Sequence, residues 1–152
     1  MEKQFPRLNL PPFELRIEEK EGHLWVFDII RKKMVALTPE EWVRQHFVHL
    51  LVKELAYPRS LIRTESGLTY FKSAKRSDIM IRDRNGQPFM LVECKSYKLK
   101  LGRAALEQLA TYNKVIHAPF VAITNGLHHF CWQKKQDQDS YDSLENFPGF
   151  PE

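Results

Sequence analysis

The stretch Arg76–Lys95, RSDIMIRDRNGQPFMLVECK, decides the fold of this chain. Its first half places Ile79 and Ile81 on one face of a strand and Asp78 on the other, its second half is almost continuously apolar, and Asn85-Gly86 lies between them. Asn-Gly between two apolar runs is the strongest short-range signal for a β-hairpin. We therefore predict a strand over residues 77–83 and an antiparallel partner over residues 88–95.

The second of these strands has the pattern of a central strand. From residue 89 onward, odd- and even-numbered positions are both apolar until Glu93 and Lys95, which is typical of a strand covered on both faces. Glu93 and Lys95 share one face, and Asp78 lies on the partner strand, fifteen residues before Glu93. The hairpin therefore predicts two carboxylates and one amine close together.

Further elements are predicted on both sides of the hairpin. Thr38-Pro39-Glu40-Glu41 is a helix start, because Thr38 can cap, proline fits the first helical position and Glu41 completes a capping box. The other predictions are two or three strands within residues 13–37, a helix from Pro39 to about Ala56, a strand or bent hairpin over 61–70, a helix from Arg103 to about His117, and a hairpin of 120–124 with 127–132.

This order predicts an α/β protein, more narrowly an α+β arrangement in which helices pack on a mixed sheet. A chain of 152 residues with 43% hydrophobic residues is typical of one globular domain. We expect a single domain over 1–152, with an N-terminal β extension at 1–37, a core at 38–132 and an irregular acidic tail at 133–152.

Charge and composition exclude several classes of protein. Residues 72–103 hold nine Lys and Arg against three Asp and Glu, a surplus that would suit a polyanion such as nucleic acid. On charge alone, a solvated face with scattered lysines is the better explanation. The apolar runs are too short to cross a bilayer, and the two cysteines give no disulfide framework. We therefore expect a cytoplasmic protein that does not bind membranes.

The predicted cluster of Asp78, Glu93 and Lys95 favours metal-dependent hydrolysis. Two neighbouring carboxylates repel unless a cation lies between them, and Mg²⁺ prefers such oxygen ligands, to which the Cys94 carbonyl could add. The Lys95 ammonium could orient water and stabilise charge developing on a phosphate. The alternative is an ordinary salt bridge at a sheet edge, but charge on a covered strand is costly without a function.

These residues resemble the PD-(D/E)xK nuclease superfamily, whose hallmark is an Asp on one strand and Glu-x-Lys on the next. Asp78 and Glu93-Cys94-Lys95 match it, with Ser77 where the superfamily name has proline. The wider sequence resembles the N-terminal nuclease domain of type I restriction enzyme R subunits over roughly residues 24–132. The matching segments are RKK at 31–33, LTPEEWVRQ at 37–45, RSDI at 76–79, QLATYN at 108–113 and TNG at 124–126.

The resemblance implies a restriction-endonuclease-like α-β-β-β-α-β core and a Mg²⁺- or Mn²⁺-dependent DNA endonuclease of restriction type. The sequence has no Gly-x-x-x-x-Gly-Lys-Ser/Thr loop, so we expect a stand-alone relative or a nuclease module without its own ATP-driven motor. The rival hypothesis is a non-catalytic DNA-binding or assembly module that docks onto methyltransferase or specificity subunits. A homodimer is a further candidate assembly. The third hypothesis is a small-molecule enzyme of unrelated fold. The basic stretch and the absence of a glycine-rich cofactor loop from the sequence argue against it.

The resemblance also assigns residues outside the hairpin. It implies a metal-ligating Glu on the first helix, for which Glu41 is the choice and Glu40 the alternative, while capping of the helix offers Glu41 a local role without metal. It implies that Gln108 and Tyr112, which share a helix face, help to position DNA; the alternative is a buried Tyr112 and a solvated Gln108. Candidate phosphate contacts are Arg76, Lys98, Lys100 and Arg103, each of which could instead be ordinary surface.

Overall fold

The computed structural model describes the backbone of residues 5–69 and 75–152 and the side chains of residues 5–64 and 79–152. The side chains of Arg76 and Asp78 therefore lie outside the described residues. Within the described part of the chain, no helix is both long enough and apolar enough to span a membrane. Cys94 and Cys131 are both buried and are not joined in a disulfide.

An antiparallel N-terminal sheet forms the predicted β extension. Its strands are β1 (Ile17–Lys20), β2 (His23–Asp28) and β3 (Lys33–Ala36), in the order β1-β2-β3. The segment ahead of it, residues 5–15, packs on the first helix, where Phe5 stacks on Trp42 at 5.0 Å between ring centroids. The Trp42 indole N–H donates to the Pro6 carbonyl at 3.0 Å.

Helix α1 (Pro39–His49) begins as predicted and ends earlier. The Thr38 hydroxyl accepts from the Glu41 amide at 3.0 Å, which satisfies one of the free amides of the first turn. The α-helix does not reach Ala56, because residues Leu50–Glu54 form a wider π-helical turn. Ala56 then adopts a left-handed conformation with φ of 58°, which turns the chain away before Pro58.

The main sheet carries the remaining strands, β4 (Ile62–Thr69), β5 (Lys75–Arg82), β6 (Pro88–Cys94), β7 (Phe120–Thr124), β8 (His129–Lys134) and β9 (Tyr141–Leu144). In the described residues they lie in the order β4-β5-β6-β7-β8-β9. β6 and β7 pair in parallel and every other neighbouring pair is antiparallel. Helix α2 (Arg103–Ile116) provides the crossover that a parallel pair requires.

The hairpin predicted around Asn85-Gly86 is confirmed. β5 and β6 pair antiparallel, with Asp78 opposite Glu93 and Ile79 opposite Val92. Gly86 has φ of 81°, a conformation that glycine adopts without a steric penalty. Every residue of β6 after Pro88 is buried, as expected of a central strand.

One prediction about the less regular regions is confirmed and one is wrong. Of the two alternatives for residues 61–70, the strand is confirmed over Ile62–Thr69, because β4 is one strand with a register shift between Ser66 and Leu68. The acidic tail is not irregular throughout, since β8 extends to Lys134 and β9 pairs with it. Phe147 packs on Phe47 at 5.2 Å between ring centroids, so burial of aromatic side chains holds the tail in place.

Helices α1 and α2 cover opposite faces of the main sheet. One core contains Val43 and Phe47 of α1 together with Val92 and Cys94 of β6. The other contains Leu109 of α2, packed with Met80, Leu91, Val121 and Ile123. Because side chains alternate along a strand, Glu93 lies on the same face as Leu91, which is the α2 face.

Candidate active site

The site is built on the two strands of the central hairpin, where β6 ends. The backbone pairs Asp78 of β5 directly with Glu93 of β6. Residues paired in this way share one face of a sheet, with their Cβ atoms about 5 Å apart. The register therefore brings together the two positions whose carboxylates the sequence predicted to meet.

Glu93 and Lys95 form an ion pair at the end of β6. The Lys95 Nζ lies 3.3 Å from Glu93 Oε1, with side chains 28% and 2% exposed, respectively. The Lys95 amide donates to the Thr124 carbonyl at 2.8 Å, which ties this end of the strand to β7. A buried carboxylate therefore faces an ammonium that solvent and a substrate can reach. The alternative interpretation of the sequence predicted the same ion pair.

Cys94 separates these two residues along the strand. Its side chain belongs to the core on the α1 face, opposite to Glu93. Its backbone lies beside Thr124 of β7. The metal-binding role of its carbonyl stays a prediction.

Glu41 is the buried glutamate of α1. Its side chain is 5% exposed, against 40% for Glu40. The Arg44 guanidinium donates to its Oε1, and the Gln45 amide donates to its Oε2 at 2.9 Å. Only the Thr38 half of the predicted capping box is therefore seen, because the Glu41 carboxylate binds Arg44 and Gln45 of its own helix.

An ionic network, formed by Asp28, Arg31, Glu41, Arg44 and Thr64, continues from this carboxylate into the N-terminal sheet. The Arg31 Nη2 lies 3.7 Å from Glu41 Oε1, and the Arg31 Nε donates to Asp28 Oδ2 at 2.8 Å. The Thr64 hydroxyl of β4 donates to the same Asp28 oxygen at 2.8 Å. The network thus connects the N-terminal sheet, α1 and the main sheet.

The electrostatics of this network follow from its hydrogen bonds. Burial alone would raise the pKa of Asp28, but hydrogen bonds from the Arg31 amide and guanidinium, the Thr64 hydroxyl and the Ile30 amide lower that pKa below its ordinary value. Burial would lower the pKa of Arg44, but its proximity to Glu41 raises that pKa. Both groups therefore stay charged inside the protein.

The sequence analysis missed the ionic network. Arg31 lies in a segment that carried the family resemblance, and Arg44 lies one helical turn after Glu41, which is a known spacing for ion pairs. That spacing was the available signal. The contact between Asp28 and Thr64 spans 36 residues and has no local signal in the sequence.

The described residues do not by themselves complete a metal site. Among them, no group of three or more His, Cys, Asp or Glu side chains could hold a metal ion. The Asp78 side chain is not among the described residues. The predicted metal ligands Asp78 and Glu93 are thus brought together by backbone register, while the buried carboxylate of Glu41 binds the ionic network.

The predicted DNA contacts divide into exposed and buried residues. Lys98 and Lys100 are exposed on the segment that follows β6, and Arg103 and Gln108 are exposed on α2. Tyr112 is 3% exposed, which is the placement that the alternative interpretation gave. Arg76 lies outside the described side chains.

An exposed aromatic residue near the candidate active site was also not predicted from the sequence. Phe130 of β8 is 47% exposed, and its ring stacks on Trp132 with centroids 6.1 Å apart. The sequence analysis counted residues 127–132 only as a strand. Their apolar pattern does not distinguish a buried aromatic from an exposed one.

Comparison with known proteins identifies related sequences. The family model described as "Type I restriction enzyme R protein N terminus (HSDR_N)" matches residues 39–148, which is more than half of the chain. The match begins at the first residue of α1 and ends beyond β9, so β1 to β3 lie outside it. No curated protein matches significantly.

A solved structure is also similar, a fragment assigned as an HsdR subunit of a type I restriction enzyme from Vibrio vulnificus YJ016. The two chains are 19% identical and superpose with a TM-score of 0.49. The similarity covers 74% of this chain and 24% of that chain, so the present protein spans about a quarter of the fragment it matches.

Proposed function

The chain belongs to the family of type I restriction enzyme R protein N termini, and we propose that it is a metal-dependent deoxyribonuclease that hydrolyses DNA phosphodiesters. The observation that supports this proposal is the pairing of Asp78 with Glu93, next to a lysine whose Nζ lies 3.3 Å from the Glu93 carboxylate. The family supplies the nuclease context, and the hairpin supplies residues with suitable chemistry.

The donor set at the end of β6 fits Mg²⁺ or Mn²⁺. Both are hard cations that prefer carboxylate and carbonyl oxygens, and Asp78, Glu93 and the Cys94 carbonyl would provide them. When bound, the ion supplies activation of water and neutralisation of charge at the phosphate.

Lys95 would act by donating hydrogen bonds. An ammonium has three N–H donors and no acceptor, so it can hold a water oxygen or a phosphate oxygen but cannot remove a proton while charged. The Lys95 amide is fixed to β7 at 2.8 Å, which limits where its side chain can reach. We propose that Lys95 orients the attacking water and stabilises the charge that develops on the phosphate.

The basic segment that follows β6 would hold the DNA backbone. Lys98, Lys100 and Arg103 are exposed within eight residues of Lys95. Contacts from such residues to phosphates position DNA without identifying its sequence. Gln108 is exposed on the same helix that follows this segment, whereas the buried Tyr112 would act by supporting that helix.

Plasmid cleavage tests this function. Supercoiled DNA is incubated at fixed salt with Mg²⁺, Mn²⁺, Ca²⁺ or EDTA, and the wild type is compared with Asp78→Ala and Lys95→Ala. Lys114→Ala, at an exposed position of α2, is the matched control. We expect nicking with Mg²⁺ or Mn²⁺ that both site variants lose and the control keeps, at equal thermal stability.

Other outcomes would contradict the proposal. Cleavage that survives in Lys95→Ala would place the chemistry elsewhere. DNA binding without cleavage in every metal would favour a non-catalytic module that assembles with methyltransferase or specificity subunits. Such a module would co-purify with those subunits through a surface that the Asp78 and Lys95 substitutions leave intact.

A further inference from the structure

A shallow concavity of about 530 Å³ lies at the carboxyl ends of β6 and β7, beside the candidate active site. The segment after β6 lines one side of it, and the turn before β8 lines the other. Three large apolar residues at this concavity are exposed, Leu99 by 54%, Leu127 by 38% and Phe130 by 47%. Exposed apolar side chains grouped at a concave site are typical of a binding surface.

Phe130 lies in the same cross-strand row as the candidate active site. Glu93 pairs with Ile123 of β7, and Ile123 pairs with Phe130 of β8. Phe130 is therefore two strands from Glu93 on the same face of the sheet, a separation of about 10 Å between backbones. Trp132 stacks on Phe130 with an interplanar angle of 22°, which extends the exposed ring into an aromatic platform.

The charges around the concavity favour a polyanion. Lys98 and Lys100 line it on either side of Leu99, and His128 lines it from the opposite turn. None of the described residues that line it is acidic. The nine residues from Lys95 to Arg103 include four cations and no acid. A protein partner would need a strongly acidic surface to match this surrounding charge.

We propose that the concavity binds unstacked bases of single-stranded DNA, with Phe130 stacking on a base while Lys98 and Lys100 neutralise the flanking phosphates. Stacking of bases on aromatic side chains requires an exposed base face, which a duplex hides between its base pairs. This inference rests on DNA being the substrate and adds the form of DNA that reaches the site. The cross-strand row of Phe130, Ile123 and Glu93 would place such a strand beside the candidate active site.

Equilibrium binding in EDTA tests the inference without any need for cleavage. Fluorescence anisotropy compares a labelled oligothymidylate with an abasic strand that has the same number of phosphates. We expect the wild type to bind the oligothymidylate roughly tenfold more tightly than the abasic strand. Phe130→Ala should abolish this preference and Phe130→Trp should keep it. Val115→Ala, at an apolar position of α2 that is 59% exposed, is the control and should also keep it.

Two results would overturn the inference. One is equal affinity of the wild type for the two strands, or an unchanged preference in Phe130→Ala. The other is a change in self-association of Phe130→Ala, measured by sedimentation velocity, with DNA binding unchanged, because the concavity would then be a protein contact. A base preference without cleavage in any metal would refute the proposed nuclease alone, and cleavage without a base preference would refute this inference alone.

Discussion

Glu41 and Glu93 are both buried glutamates in this chain, but their surroundings differ. The Glu41 carboxylate accepts from Arg44 and Gln45 and lies near Arg31, which is itself bound to Asp28. Glu93 lies at the end of a strand beside Lys95, whose side chain keeps 28% of its surface exposed. The first carboxylate is enclosed by Arg44 of its own helix and by Arg31 of the turn between β2 and β3, whereas the second faces a lysine that solvent reaches.

This difference distinguishes a structural charge from a candidate catalytic one. Removing one partner from a buried ionic network leaves an uncompensated charge and is strongly destabilising. The pair of Glu93 and Lys95 differs in that its lysine side chain is 28% exposed and can meet a substrate. We therefore propose that Glu41 holds α1 to the N-terminal sheet and that Glu93 takes part in the chemistry. The metal-ligating role that the family resemblance implies for Glu41 stays a prediction.

The largest expected effect is on cleavage in Glu93→Gln. Loss of the carboxylate removes a proposed metal ligand, so we expect the rate of plasmid nicking to fall at least a thousandfold, which corresponds to about 4 kcal/mol in activation free energy. Urea denaturation of Glu93→Gln gives its free energy of unfolding, so that cleavage is compared per folded molecule. Glu14→Gln, at an exposed position ahead of β1, should alter neither the nicking rate nor the free energy of unfolding. Full cleavage by Glu93→Gln would remove Glu93 from the site.

The second-largest expected effect is a loss of stability in Arg44→Met. This substitution leaves the buried Glu41 carboxylate without its main cation, so we expect urea denaturation to show a loss of about 3 kcal/mol. The double variant Glu41→Gln/Arg44→Met should recover part of that loss, because it buries no unpaired charge.

Glu41→Gln also separates the two roles of this glutamate. A structural role predicts a destabilised protein whose folded fraction cleaves at the wild-type rate per molecule. Lost cleavage in a protein of normal stability would instead identify Glu41 as a metal ligand.

A smaller effect is the pH dependence of stability that arises from His49. Burial lowers the pKa of His49 to about 4, with smaller contributions from Lys53 and His46. The ordinary value of about 6.5 holds in the unfolded chain, so the unfolded state takes up a proton first as the pH falls. Stability from this group is therefore complete above pH 6.5 and is lost toward pH 4.

We expect the His49 contribution to fall by about 2 kcal/mol between pH 8 and pH 5. Urea denaturation at both pH values measures it as the difference in pH dependence between the wild type and His49→Gln. The exposed His23→Gln is the control and should retain the wild-type dependence. Identical pH profiles for the wild type and His49→Gln would show that another group titrates.

The smallest effect is loss of the helix cap in Thr38→Ala. The Thr38 hydroxyl accepts from the Glu41 amide at 3.0 Å, and loss of such a cap costs about 1 kcal/mol. Denaturation should show this loss with unchanged cleavage by the folded protein. Ser60→Ala, an exposed serine in a short turn, provides the control. A change in cleavage would show that the start of α1 also shapes the site.

The fold could be predicted where local chemistry determined it. Asn85-Gly86 set the central hairpin, Thr38-Pro39 set the start of α1, and the apolar run of β6 predicted a strand buried on both faces. The π-helical turn after His49 was missed because the apolar pattern of residues 50–55 fits an α-helix equally well. β9 was missed because its two central residues are polar, and its pairing with β8 depends on the fold around it.

The candidate site was predictable to the extent that it is local. The pairing of Asp78 with Glu93 follows from the Asn85-Gly86 turn and from the alternation of side chains along the two strands. The spacing of residues in the sequence was therefore sufficient to predict it. The contact of Glu41 with Arg31 depends on how the N-terminal sheet packs on α1, which no spacing in the sequence reveals. The exposure of Phe130 likewise depends on how much of this face of the main sheet helix α2 covers, which no spacing in the sequence reveals.

The central position of β6 has a consequence for local unfolding. The strand is hydrogen-bonded to β5 on one side and β7 on the other, and its side chains are buried on both faces. Amides in such strands exchange with solvent only through the rarest openings, whereas edge strands and termini open more often. Glu93 is thus carried on one of the last segments to open, and the geometry around it persists while the edge strands β4 and β9 fluctuate.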